Sequence, residues 1–124
     1  MDIQIKRAYE PAAADDGQRI LVDRLWPRGI SKEHAHLDLW AKEISPSTEL
    51  REAFHHDPGR FSDFVRAYHA ELDANPSAVA QLTALARKGR LTLIYGAKDE
   101  VDNNAAVLRD YLLAHHHRAA RPTP

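Results

Sequence analysis

Residues 91–95, LTLIY, are the stretch that most constrains how this chain can fold. The run follows a helical pattern closed by Gly89. It is too short for a core helix and too apolar for a strand wetted on one face. It reads as a buried strand, and a buried strand fed by a helix implies a small parallel sheet covered on both faces. The remaining segments fall into place around it. Residues 3–9, IQIKRAY, alternate apolar and polar side chains and read as a strand. PAAADDGQ is a loop, punctuated by proline, paired aspartates and glycine. Residues 19–26, RILVDRLW, read as a second strand with Ile20, Leu21, Val22 and Leu25 as core candidates, ended by Pro27 and Gly29. Ser31 is placed to cap a short helix carrying Leu37, Leu39 and Trp40. Ser47 or Thr48 starts another through Phe54. Asp57-Pro58 and Asn75-Pro76 are helix starts, because Asp or Asn caps free amides and proline suits the first turn. The first of these helices aligns Phe61, Phe64, Val65, Tyr68 and Leu72 on one face, and the second aligns Val79, Leu82, Leu85 and Ala86. A last helix from Asn103 to Ala114 turns Val107, Leu108, Tyr111 and Leu112 inward. The expected fold is one α/β domain over 3–114, a small and mainly parallel sheet flanked by helices in three layers. Residues 115–124, HHHRAARPTP, have no apolar periodicity and are expected to form a disordered tail.

The 124-residue length suits a single domain. The chain has no cysteine, which excludes disulfides, thiolate nucleophiles and zinc sites that use sulfur. The opening MDIQIKRAYE lacks the apolar core of a signal peptide, and no apolar run approaches the roughly 20 residues of a membrane span. A cytoplasmic protein with no membrane partner is expected. Basic and acidic residues number 17 and 18. Nucleic acid is therefore not an expected partner, since its binders usually have a pI above about 9.

Ligands of open α/β sheets bind beyond the carboxyl ends of the strands. Two segments occupy such ends, LWPRGISK after the second strand and YGAKDEVDNN after the last. If those strands are parallel neighbours, the two loops lie side by side. The first loop supplies Arg24, Arg28 and Lys32 around Trp26. Guanidinium groups fork onto carboxylate or phosphate oxygens, and an indole stacks on a flat ligand. The competing reading pairs Arg24 and Arg28 with Asp23, Asp38 or Glu43 and makes Trp26 a core residue. The second loop supplies Asp99, Glu100, Asp102, Asn103 and Asn104, with Asp99 as a hydrogen-bond acceptor or base. Asp102 or Asn103 can equally be a simple helix cap. In FHHDP, residues 54–58, His56 titrates near neutrality and can serve as a general acid or base, or it is a surface residue beside a helix start. No metal site is expected. His34 with His36 and His55 with His56 are the only tight pairs outside the tail, and zinc needs three or four ligands. Neither glycine-rich nucleotide fingerprint is present, nor a G-x-S-x-G elbow.

These residues carry a resemblance. DDGQRILVDRLWPRGISKEHAHLDLWAKEISPSTELREAF, HDPGRFSDFVRAYHAEL and LTLIYGAKDEVDNNAAVL resemble the YeaO-like branch of the bacterial domain-of-unknown-function 488 family, from about Ile3 to Leu113. Arg24, Trp26, Pro27, Arg28, Gly29 and Lys32 match its first motif. Trp40, Pro46, Ser47, Leu50 and Arg51 match its second. His56, Asp57, Tyr68 and Glu71 match its third, and Tyr95, Ala97, Asp99, Asn103 and Asn104 its last. Many relatives look to have a histidine where this chain has Asp102. The resemblance implies a bacterial cytosolic protein and brings no established activity. Longer members of the wider family are similar to rhodanese-type proteins, with cysteines after the final strand, so a distantly rhodanese-like fold is implied. LIYGAKDE has no thiol there, so neither sulfur transfer nor cysteine-phosphatase chemistry can run through that loop.

The leading expectation is a binding protein or enzyme for a small anionic ligand held in a basic, aromatic pocket at the carboxyl ends of the strands. Arg24, Trp26, Arg28, Lys32, Tyr95, Asn103 and Asn104 would bind it, and His56 and Asp99 would move protons if there is catalysis. A non-catalytic interaction or regulatory module is the second reading. A haem or metal protein using His56 or His69 is the third. The residues name no cofactor and no oligomeric state.

Overall fold

A computed structural model describes residues 1–54 and 57–120. Four strands form one sheet: β1 (Ile3–Arg7), β2 (Gln18–Leu21), β3 (Leu39–Trp40) and β4 (Leu91–Tyr95). All pair in parallel, in the spatial order β1-β4-β2-β3. Every residue of β4 is buried, as its composition requires for a central strand. Its register sets Ile3 and Ile5 of β1 beside Leu91 and Leu93, and Ile20 of β2 beside Leu93.

The two faces of the sheet are covered differently. One carries Ile3, Ile20, Val22, Leu91, Leu93 and Tyr95, and packs against α2 (Thr48–Phe54), α3 (Phe61–Asp73), α4 (Pro76–Lys88) and α5 (Asn104–Ala120). Leu50, Tyr68, Leu72, Leu82, Leu108 and Leu112 supply the helical side of this core. On the other face Leu21 and Ile94 are covered by Trp26, Ile30, Leu37 and Trp40. Among the described residues that layer contains the short helix α1 (Lys32–Ala35) and a 3-10 turn at Ala14–Asp16, so most of it is irregular chain. No helix among the described residues is long and apolar enough to cross a membrane.

Several local expectations are met for the reasons given. Ser31 caps α1 by accepting from the His34 amide. Ser47 does the same at α2, accepting from the Leu50 amide at 3.1 Å. Pro76 opens α4, and Gly89 closes it. Others differ. α1 stops at His36, which adopts the left-handed conformation with φ 47°, so Leu37, Leu39 and Trp40 are not helical. Leu39 and Trp40 instead form the edge strand β3. The second strand ends at Leu21, where 19–26 was expected to be extended, because the chain turns away at Asp23. Leu25, an expected core residue, is 59 % exposed. The Asp57-Pro58 start opens with a single 3-10 turn, Pro58–Arg60, before α3 begins. The last helix continues through Ala120, past the expected end at Ala114.

Candidate functional site

Because β2 and β4 are parallel neighbours, their carboxyl ends deliver Asp23 and Gly96 to the same place. The Gly96 amide donates to Asp23 Oδ2 at 2.9 Å. The Asn104 side-chain amide, at the start of α5, bridges Asp23 Oδ1 and the Val22 carbonyl, both at 3.0 Å. These bonds lash both loops and a helix to the end of β2. A β-carbon at position 96 would approach Asp23 Oδ2 to 3.2 Å, so glycine is what lets this amide come so close.

Beyond this junction lies a cavity of about 550 Å³, within the size range of small-molecule sites. Its half-buried floor holds Asp23 and Arg24, with Arg51 reaching in from α2. Arg24 is fixed by the chain it faces: Nε donates to the Pro46 carbonyl and Nη2 to the Ser45 carbonyl, both at 3.1 Å. One wall is aromatic. Phe61 and Phe64 stack with ring centroids 5.7 Å apart, and Phe54 meets Phe64 edge-on at 6.0 Å. The exposed rim carries Leu25, Asp57, Lys98, Asp99 and Asp102.

The carboxylates differ in electrostatic character. Burial pushes the Asp23 carboxyl above its ordinary pKa, outweighing the hydrogen bonds from Asn104 and Gly96 and the attraction of Arg51. Asp99 moves the other way. Its Oδ1 accepts from the Asp102 and Val101 amides, both at 2.9 Å, and these bonds hold its pKa below the usual carboxylate value. A carboxylate stabilised in this way is a weak base, so Asp99 is suited to shaping the loop. Asn103 caps α5, accepting from the Ala106 amide while its side-chain amide donates to the Asp99 carbonyl.

The structure thus brings Arg24, Asp99, Asn103 and Asn104 to one cavity and leaves Trp26, Arg28, Lys32 and Tyr95 out of its lining. After Pro27 and Gly29 the chain folds back over the opposite face of the sheet. There the Trp26 indole N–H donates to the Ile30 carbonyl at 2.6 Å, and the ring meets Trp40 edge-on at 5.4 Å. Its large apolar surface is used to cover Leu21 and Ile94, the core role weighed against stacking. The aromatic wall is therefore built of phenyl rings and not of indole. Lys32 borders a separate shallow depression of about 250 Å³ together with Trp26 and Trp40. Arg28 is exposed, and its carbonyl accepts from the Tyr9 hydroxyl. Tyr95 is buried, and burial raises its phenol pKa, with Glu100 and Glu10 adding to the shift. Neither Arg24 nor Arg28 forms an ion pair with Asp23, Asp38 or Glu43.

The lining is not predominantly basic, since it holds Arg24, Arg51 and Lys98 against Asp23, Asp57, Asp99 and Asp102. His56 lies outside the described residues. His69 packs edge-on against the Tyr111 ring and does not line the cavity. Among the described residues, no group of three or more His, Asp or Glu side chains is placed to hold a metal ion. Asp23, Arg51, Asp57, Lys98 and the three phenylalanines are among the lining residues that residue-by-residue reasoning missed as a site. The available signal was position: Asp23 is the first charged residue after a buried apolar run, which is where sites form in such sheets.

A four-stranded parallel sheet with helices packed against it and a cavity at its carboxyl edge defines a small α/β domain. The chain belongs to the domain-of-unknown-function 488 family, and residues 2–123 match the group described as the inactive DUF488-N3 subclade. It is 52 % identical over 112 residues to the uncharacterized protein YeaO of Escherichia coli K12, covering 90 % of this chain and 97 % of that one. It is 40 % identical over 110 residues to the uncharacterized proteins Rv3073c of Mycobacterium tuberculosis and Mb3100c of Mycobacterium bovis, covering 89 % of this chain and 92 % of each. No solved structure matches it significantly.

Proposed function

We propose that this domain binds a small anion with an apolar or aromatic body, and holds it without turning it over. The carrying observation is a cavity in which Arg24 and Arg51 share a half-buried floor beside the Phe54–Phe61–Phe64 wall. Arg24 is already engaged by two carbonyls. Arg51 makes no hydrogen bond or ion pair with its guanidinium among the described residues, so its donors are open to a ligand's carboxylate. Phenyl rings supply the burial energy, and the guanidinium sets orientation. Three facts favour binding over catalysis. The matched subclade is described as inactive, and the loop after β4 has no thiol. Asp99, the base expected in that loop, is stabilised in its charged form.

Calorimetric titration with 3-phenylpropanoate tests this reading. The wild-type protein binds it, and Arg51→Gln loses roughly tenfold to a hundredfold in affinity, as expected for one charge-assisted hydrogen bond worth about 1.5–3 kcal/mol. The urea midpoint of the variant moves little, because Arg51 makes no hydrogen bond or ion pair through its side chain among the described residues and acts on Asp23 only through longer-range attraction. Absence of binding in the wild type, or full affinity in Arg51→Gln, would overturn the proposal.

A further inference from the structure

The charges of the cavity are sorted by depth. In the half-buried floor, two guanidinium groups, Arg24 and Arg51, face one carboxyl, Asp23. At the exposed rim, three carboxylates, Asp57, Asp99 and Asp102, face one ammonium, Lys98. A ligand entering therefore passes a negative collar before reaching a positive floor. A plain anion is attracted by the floor and repelled by the collar. A cation is held at the collar and opposed by the floor. Only a molecule carrying both signs satisfies both, with its acid inward and its positive group outward.

The rim carboxylates are not equivalent. Asp99 spends Oδ1 on two backbone amides. Asp57 and Asp102 make no hydrogen bond or ion pair with their carboxylates among the described residues, although both line the cavity. Both are exposed, so their carboxylates are open to solvent and to a ligand. Phe61, in the first turn of α3, and Phe64 line the same cavity as both sets of charges, giving an apolar body a surface to cover.

Building on the anion site proposed above, we infer that the ligand is a zwitterion of the amino-acid type, an apolar body bearing one carboxylate and one ammonium. Arg24 and Arg51 take the carboxylate, Asp57 and Asp102 take the ammonium, and the phenylalanine wall takes the body. This assigns the acidic rim to recognition and gives the cavity a criterion for rejecting simple carboxylic acids.

Three probes with nearly the same body separate the possibilities in calorimetry at low salt: L-phenylalanine, 3-phenylpropanoate and 2-phenylethylamine. Phenylalanine is expected to bind at least tenfold more tightly than 3-phenylpropanoate, and the amine more weakly than either. In the double variant Asp57→Asn/Asp102→Asn, the advantage of phenylalanine disappears while 3-phenylpropanoate binds at least as well as before. If 3-phenylpropanoate equals or exceeds phenylalanine in the wild type, the zwitterion inference is wrong and the anion reading stands. If phenylalanine keeps its advantage in the double variant, the ammonium is not held by these two aspartates and the assignment fails. If neither carboxylate binds, the inference and the reading beneath it fall together.

Discussion

Asp16 is 2 % exposed and still charged, because four donors converge on it. Arg19 Nη1 donates at 2.6 Å, Lys6 Nζ at 3.2 Å, the Ala13 amide at 3.0 Å and Gln4 Nε2 at 3.3 Å. Burial alone would raise its pKa, but the Ala13, Arg19 and Lys6 bonds outweigh it and the net shift is downward. A carboxyl whose folded pKa is depressed stabilises the fold above its unfolded value and loses that contribution as pH falls through the folded value. Asp16→Asn is therefore expected to cost about 3 kcal/mol at neutral pH, since it leaves the buried Arg19 without its counter-charge. The gap between variant and wild type should narrow progressively below about pH 4. Urea titrations of both proteins across that range check it, and a gap independent of pH would contradict it. Little of this was legible in DDG, which reads only as a loop. Asp15 and Asp16 are the same chemically, and only the strands beneath decide which of them turns inward. The same holds at the cavity. Arg24 and Arg28 look equivalent in sequence, yet one reaches the Ser45 and Pro46 carbonyls and the other faces solvent.

At the scale of elements, α2 is the piece that connects folding to the site, because Arg51 and Phe54 both ride on it. It is a short helix of 7 residues and has little stability of its own. Its start is held from outside. The Ser47 hydroxyl accepts from the Leu50 amide, and the Glu71 carboxylate on α3 accepts from both the Ser47 hydroxyl and the Ser47 amide. Ser47→Ala should cost about 1 kcal/mol by chemical denaturation, the usual worth of such a cap. It should also weaken 3-phenylpropanoate binding although Ser47 does not line the cavity. A loss of stability with no loss of affinity would show that α2 holds Arg51 in place without its cap. The Ser47 start was readable because its hydroxyl caps the Leu50 amide, and so was Pro76 in the first turn of α4. The Asn75 side chain, however, makes no cap there and bonds the Glu43 carbonyl, and Asp57-Pro58 opens a 3-10 turn ahead of α3. β3 was not readable. Two residues have no periodicity, and Leu39 and Trp40 are extended only because β2 offers its open edge at Ile20 and Leu21.

Taken whole, the molecule separates its two aromatic populations by the thickness of the sheet, and that separation can be tested with light. Phe54, Phe61 and Phe64 line the cavity, while both tryptophans cover Leu21 and Ile94 on the other face. Trp40 reaches the cavity side only through its indole bond to the Asp23 carbonyl, and neither indole lines the cavity. Tryptophan emission should therefore report unfolding and be silent to binding. At a 3-phenylpropanoate concentration of 100 times Kd, linkage predicts about 2.7 kcal/mol of added stability. The urea midpoint followed by tryptophan emission should shift accordingly, while the emission maximum of the native protein stays where it was. The opposite pattern has an equally definite meaning. A blue shift or quench on adding ligand would put the ligand against Trp26 and Trp40, in the 250 Å³ depression that Lys32 borders. That would restore the indole and Lys32 to the site at the expense of the cavity. One fluorimeter trace thus decides between the two faces of the sheet, because the fold has placed both indoles on one of them and the cavity with Arg51 on the other.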